Sequence, residues 1–356
     1  MEYIKQFPDL LKGKKILYVH GFASSGQSGT VTRLRTVFPN AKVMAPDLPI
    51  HPEEALSLLL KLCEEEKPHL IIGTSMGGMY TEQLRGFDRI CVNPALEIAE
   101  TMKEHGMTGT QQFQNPRQDG VQEFYVDKAL VKEYREVSER RLNLRPLQGE
   151  TPLTPEELDA FVCKEQKHVF GLFGDKDDLV DTFDMFHEVY PQATHFHGGH
   201  RMDDHSFMHA VVPVIRWIDD RQEKRQRPIV YIGIECLTGL NPSNLIPRPL
   251  QGERELKPLP SCQKAVRMLI EQYEVFFVAA AEGNQYAAIE SWLAEYIGVP
   301  AWQHAIFTDR RDLLYGDYLI SKEKEGDTMA TLLEFGSDTF KTWDDVITYF
   351  DHLGGQ

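Results

Sequence analysis

Paired cysteines, long apolar runs and basic clusters are what this sequence has little of. Its five cysteines in 356 residues, Cys63, Cys91, Cys163, Cys236 and Cys262, stand far apart and form no CxxC motif. That spacing excludes a disulfide framework and a cysteine zinc site, and fits thiols used as small apolar side chains in a reducing compartment. Apolar runs such as 275–281 fall well short of the ~20 residues of a membrane span. The opening MEYIKQFPDLLKGKK has neither an apolar core nor a small-residue cleavage site, so the expectation is a cytoplasmic protein with no membrane contact. Lys and Arg number 38 against 54 Asp and Glu, a formal charge of −16, which argues against a nucleic-acid or anionic-membrane partner.

What is present is an ordinary globular composition, 42% hydrophobic and 26% charged, on a chain long enough for two cores. Short apolar runs alternate with segments of helical period, the signature of parallel sheets with crossover helices. The spacing predicts strands over 16–19, 41–45, 70–72, 90–92, 168–173 and 194–197. Each is followed by turn formers: HGFASSG, PDLPIHP, GTSMGG, NPAL, GDKDD and GGH. Doubly wound sheets place their chemistry at the C-terminal ends of strands. The polar stretch 97–167 interrupts the alternation and reads as a cap. DDRQEKRQRP, 219–228, reads as the seam between a domain over 1–222 and a smaller α/β domain over 228–356. In the latter, strands are expected at 229–234, 275–280, 305–308, 318–320 and 332–335, with helices at 262–272, 286–296 and 343–353.

Gly73-Thr74-Ser75-Met76-Gly77 follows one apolar strand and opens a helical stretch, the context of a G-x-S-x-G nucleophile elbow. The serine must sit on a strained turn, with glycines beside it so that neighbouring backbone can approach. Its acid and base should follow in the order Asp, His. The turn GDKDDLVD offers Asp175, Asp177, Asp178 and Asp181; the register G-x-x-D-x-x-V selects Asp177, with Asp178 the fallback. His200, after two glycines, is the expected base. His195 and His197 lie on the preceding strand and read as structural. His205 and His209, four residues apart, lack the glutamate of a metalloprotease helix, and no metal or organic cofactor is expected. Backbone N–H groups of Phe22 and Met76 are the candidate oxyanion donors. His20, Ser24 and Ser25 are candidate substrate contacts, Ser28 lines the same loop, and His20 also reads as a brace.

ILYVHGFASS, GTSMGGMY with VNPAL, GDKDDLVD and GGH together resemble the small bacterial esterases of the YqiA/YcfP type, the UPF0227 group, over about 14–220. The resemblance implies an α/β-hydrolase fold, with a mostly parallel sheet and an inserted cap, and hydrolysis of small-molecule carboxylic esters or thioesters through an acyl-serine. Ser75, Asp177 and His200 would carry that chemistry. Residues 97–167 depart most from the pattern.

VYIGIE, FFVAAA, Ser291-Trp292, RDLLYGDYLIS and Trp343-Asp344-Asp345-Val346 are similar to the 5′(3′)-deoxyribonucleotidase branch of the haloacid-dehalogenase superfamily, a Rossmann-type fold. That family's D-x-D motif reads Gly233 and Glu235 here, and its threonine reads Ala279. Its lysine is replaced by Arg311, and its metal-binding acidic pair by Ser321 and Lys322. Glycine cannot attack phosphorus and lysine repels Mg²⁺, so the resemblance implies a catalytically degenerate domain. A nucleotide ligand of that domain, or a homo-oligomer formed through it, stays open. So do acyl transfer by the same triad, and a nucleotide-binding protein with a vestigial esterase half.

Overall fold

The computed structural model describes residues 4–144, 154–239, 256–283, 285–322 and 328–354. The chain divides into two compact units, Met1–Asp219 and Asp220–Gln356.

In the first unit the apolar runs become β1 (Lys15–Val19), β2 (Lys42–Met44), β3 (Leu70–Thr74) and β4 (Arg89–Val92). The helices between them are α1 (Gly29–Val37), α2 (Pro52–Glu66) and α3 (Met76–Gln83). After β4 come α4 (Ile98–Glu104), the strands β5 (Gly109–Gln112) and β6 (Glu123–Val126), α5 (Lys128–Ser138) and α6 (Pro155–His168). The unit closes with β7 (Val169–Gly174), α7 (Phe183–Val189) and β8 (Ala193–Phe196). A short helix α8 (Asp204–Ser206) then runs through a π-turn at Phe207–Val211 into α9 (Val212–Glu223).

Six strands pair in the order β2-β1-β3-β4-β7-β8, all parallel. The strand order reverses between β1 and β3, so the loops after these two strands face one crevice. With helices on a parallel sheet and a serine on the turn after β3, this is the α/β-hydrolase architecture. Residues 97–167 hold two kinds of segment. The helix α6 is a crossover into β7. From α4 to α5 the chain instead builds an excursion around the antiparallel pair β5–β6, with Gly109 opposite Val126.

Two devices hold these layers. Apolar residues alternate down the strands into one continuous core with α2, α3 and α5, including Leu17, Ile71, Leu59, Tyr80 and Tyr134. Arg89, fully buried at the start of β4, pairs with the buried Glu165 of α6 and donates to the Glu82 carbonyl. Glu165 also accepts from the Gly86 N–H at 3.1 Å.

The expected seam at 219–228 is shorter than its composition suggested, because α9 continues to Glu223. No proline or glycine interrupts that stretch before Pro228. The chain turns at Lys224, φ 53°, where Arg225 and Arg227 both fold back onto Asp220.

In the second unit β9 (Ile229–Gly233) leads into a short helix α10 (Ile234–Thr238). Then come α11 (Cys262–Leu269), β10 (Glu274–Ala279) and α12 (Gln285–Tyr296). The last elements are β11 (Ala305–Phe307), β12 (Tyr318–Ser321), β13 (Thr331–Glu334) and α13 (Trp343–Gly354). The parallel order β11-β10-β9-β12-β13 is that of a Rossmann-type sheet, reversing at β9. One face packs Val230, Ile232, Phe277 and Ile320 against Cys262, Val266, Val346 and Phe350 of α11 and α13.

Replacing Glu165 by alanine leaves Arg89 charged and buried without its carboxylate. Loss of one partner of such a pair costs about 3–5 kcal/mol. Glu165→Ala should therefore lower the denaturant midpoint of the first unit's unfolding, whereas substituting the exposed Glu64 should not.

Candidate functional site

The turn after β3 places Ser75 at φ 55° and ψ −122°, a region that non-glycine residues occupy only under strain. The serine's own N–H and carbonyl are both engaged. Ser75 N–H donates to the Val92 carbonyl at 2.9 Å, and the Ser75 carbonyl accepts from Gly78, Met79 and Ala95 at 2.8, 3.2 and 3.0 Å. The flanking glycines follow from the crowding. A Cβ on Gly77 would lie 2.0 Å from the Val19 carbonyl oxygen, and one on Gly73 would lie 2.1 Å from Thr81 Oγ1. Met76 opens α3, so its N–H belongs to the first turn, whose N–H groups have no acceptor within a helix. Phe22 follows Gly21 in the loop after β1, and both residues line the cleft that holds Ser75.

His200 lies between Ser75 and Asp177. Its Nε2 is 3.0 Å from Ser75 Oγ and its Nδ1 is 2.8 Å from Asp177 Oδ2. With a carboxylate at one nitrogen and a hydroxyl at the other, the neutral imidazole carries its proton on Nδ1, donates it to Asp177 and accepts from Ser75 at Nε2. Asp177 Oδ1 accepts from the Leu179 and Val180 N–H groups at 2.9 and 3.0 Å. Burial pushes the Asp177 carboxyl up, but the His200 hydrogen bond, the His200 charge and the two backbone donors together hold it below the ordinary value. Ser75, His200 and Asp177 are thus brought together.

The other acids and histidines of these turns lie elsewhere. Asp175 pairs with the exposed His197 at 2.9 Å and accepts the Gly198 N–H at 3.0 Å, bracing the histidine loop. His195 packs its ring 4.1 Å from that of Phe183, and burial lowers its pKa. The His205 and His209 rings meet at a tilt, with centroids 4.3 Å apart and planes inclined by 59°. Among the described residues no group of three His, Cys, Asp or Glu is placed to hold a metal ion.

Two of the expected substrate contacts are corrected. His20 is buried, its Nε2 accepting the Leu48 N–H at 3.0 Å and its Nδ1 donating to the Gly21 carbonyl at 2.9 Å. Burial lowers its pKa, keeping it neutral. Ser25 is fully buried; its hydroxyl donates to the Pro116 carbonyl at 2.6 Å and accepts from Gln27 N–H. Both brace the loop, and neither lines the cleft; Ser24 does. That loop is tied to the excursion between β4 and β7. Gln114 N–H donates to the Ala23 carbonyl at 2.8 Å, Asn115 donates to Ser24 at 3.2 Å, and the Phe22 and Phe124 rings meet at 5.3 Å. Residues of the excursion, Ile98, Met107, Gln111 and Asn115 among them, line a cleft of about 570 Å³ with Ser75 and His200.

Asn93 was missed as a site residue. Buried at φ 44° in the turn after β4, it accepts from Gly174 N–H at 2.7 Å. It donates to the carbonyls of Gly199 and His200 at 3.1 and 3.0 Å. The available signal was an Asn-Pro pair directly after a strand.

In the second unit, α10, the end of β12 and the segment before β12 bring together Glu235, Ser321 and Arg311, all buried. Arg311 grips Glu235 with two nitrogens at 3.0 and 3.1 Å and Ser321 Oγ at 2.7 Å. A Cβ on Gly233 would lie 2.0 Å from Glu235 Oε1, so the Glu235 carboxylate fills the space beside the glycine. Ala279 ends β10, and Lys322 reaches the Gly239 carbonyl at 3.2 Å.

The fold and the serine turn define the first unit as an α/β hydrolase by architecture. The model of the uncharacterised protein family UPF0227 matches residues 15–208, more than half of the chain, and the chain belongs to that family. It is also similar to a putative 5′(3′)-deoxyribonucleotidase of Vibrio phage KVP40, 25% identical over 162 residues, 40% of this chain and 95% of that protein. A putative 5′(3′)-deoxyribonucleotidase of Staphylococcus aureus (strain Mu50) is 29% identical over 110 residues, 27% of this chain. That match spans 61% of the Staphylococcus protein, less than two thirds of its length. Among solved structures, the Paleococcus ferrophilus monoacylglycerol lipase aligns with 58% of this chain and 94% of its own, at 15% identity and a TM-score of 0.35. No helix among the described residues is long and apolar enough to cross a membrane.

Because the folded Asp177 carboxyl lies below its unfolded value, it adds stability that is full above the ordinary Asp pKa of about 3.9 and is lost as pH falls through the folded pKa. A carbon-detected NMR titration should place the Asp177 midpoint below that value. In His200→Ala the midpoint should move up, since burial remains while the imidazole's hydrogen bond and charge are gone.

Proposed function

We propose that the first unit cleaves small carboxylic esters or thioesters through an acyl-serine intermediate on Ser75. The observation that carries this reading is His200 within hydrogen-bond reach of both Ser75 Oγ and Asp177, beside an open cleft. Ser75 Oγ attacks the acyl carbon as its proton passes to His200 Nε2. Asp177 keeps the Nδ1 proton in place and stabilises the imidazolium that forms. The Phe22 and Met76 N–H groups receive the charge that develops on the carbonyl oxygen; losing one such donor typically costs about 10²–10³ in rate. His200 then gives its proton to the departing alkoxide or thiolate, and a water activated by the same imidazole deacylates Ser75. The scheme needs no metal.

We read the second unit as catalytically silent. Support comes from the Glu235–Arg311–Ser321 cluster, in which a carboxylate and a guanidinium satisfy one another, and from Gly233, which offers no nucleophile. The resemblance to deoxyribonucleotidases then concerns the scaffold.

Short-chain 4-nitrophenyl esters should be turned over, and a fluorophosphonate should label the wild-type chain but not Ser75→Ala. Labelling of Ser75→Ala at the wild-type rate would overturn the assignment. Asp177→Asn should keep the fold and lower kcat by about 10⁴, the usual cost of the wrong imidazole tautomer. Deoxyribonucleoside monophosphates with Mg²⁺ should give no phosphate release; Mg²⁺-dependent release abolished by Glu235→Ala would show that the second unit is active.

A further inference from the structure

The cleft that holds Ser75 has a chemical character at odds with the rest of the chain. The sequence carries 54 acidic residues and a formal charge of −16, yet among the described residues no Asp or Glu lines this cleft, whereas Arg33 and Arg201 do. Arg33 shares its charge with Asp204, Nε to Oδ1 at 2.7 Å. Arg201 is exposed and donates to Gln114 Oε1 at 3.2 Å; among the described residues it pairs with no carboxylate.

One end of the cleft is built around the N-terminus of α1. This nine-residue helix starts after Ser28, with no acidic residue in its first turn and no side chain capping it. Its first N–H groups, those of Gly29 and Thr30, have no acceptor within the helix, and the helix dipole places partial positive charge there. A helix end alone is not a site. Here, however, Ser28 is 6% exposed, lines the cleft, and holds a buried hydroxyl oxygen without a hydrogen bond of normal geometry. The Tyr18 hydroxyl faces Ser28 and Thr30 and is 2.8 Å from Thr74 Oγ1, and Thr74 immediately precedes the nucleophile. A ligand oxygen bonded to the Ser28 hydroxyl would give it a partner of normal geometry.

We propose that this end of the cleft, formed by Ser28, the first turn of α1, Tyr18, Arg33 and Arg201, binds an anionic group, a carboxylate or phosphate, on the non-reacting part of the substrate. The inference rests on the acyl-serine reading and narrows its substrate class from esters in general to short acyl esters that bear a negative charge. The shared chemistry is the anion, which acyl and alcohol parts can each supply.

Two matched pairs, each differing by a carboxylate in place of a methyl, separate these sources. For the acyl side, 4-nitrophenyl hydrogen succinate is compared with 4-nitrophenyl butyrate. For the alcohol side, O-butyrylglycolate is compared with ethyl butyrate by pH-stat. In at least one pair the anionic member should have the higher kcat/KM, by tenfold or more, and Ser28→Ala and Arg201→Gln should each cut that ratio at least fivefold. Binding is read apart from turnover by NMR shift titration of full-length Ser75→Ala with monomethyl succinate and methyl butyrate, the first binding more tightly. Preference for the neutral member in both pairs, equal binding of the two probes, or a ratio untouched by both variants would overturn the inference. Fluorophosphonate labelling keeps the two readings distinct. A chain that labels at Ser75 without anion preference loses only this inference. One that binds the anionic probe selectively but does not label retains the anion site and loses the acyl-serine reading.

Discussion

Ser75 keeps its backbone in a conformation that costs of order 1–3 kcal/mol, and the surrounding main chain holds it there. Its N–H is bonded to the end of β4, and its carbonyl accepts three donors from α3 and the turn after β4. Val19 and Thr81 leave no room for a side chain on either flanking glycine. The strain is therefore shared with β1, β3, β4 and α3, the centre of the sheet. A serine held in this way at the head of a helix exists only while that parallel register holds.

The places of the strands along the chain, and the turns that carry Ser75, Asp177 and His200, were legible because each has a local signature: an apolar run, then turn-forming glycine or aspartate, then a polar side chain of the expected type. What stayed hidden was either long-range or a matter of burial. Ser25 and His20 look like site residues in a loop rich in hydroxyls, and only the docking of Pro116 and Leu48 against them shows that they brace it. The end of α9 was misjudged because a charged run looks like a linker whether or not it is helical. Glu235 and Arg311 are 76 positions apart, and no period or spacing announces that they meet.

The two units make a physical contrast. Around Ser75 the polar groups converge on open space: an imidazole, a hydroxyl and helix N–H groups face a cleft. Around Glu235 they converge on one another, and the space beside Gly233 is already filled. Both clusters sit where a parallel sheet reverses its strand order, the position at which such sheets hold ligands. The fold thus supplies the place in both cases, and the side chains decide whether anything is left to react.

Asn93 has a consequence for which substitutions this architecture can tolerate. Its amide presents an acceptor to one backbone N–H and two donors to two carbonyls, so it works as a polarised key that fits in one orientation. Aspartate has nearly the same shape but would set a negative oxygen against two carbonyl oxygens. Leucine would orphan three backbone groups at once, each at a cost comparable to a lost hydrogen bond. Neither replacement touches Ser75, yet either would loosen the loop that carries His200. The tolerance of this site to sequence drift is thus set partly by a residue that takes no part in the chemistry.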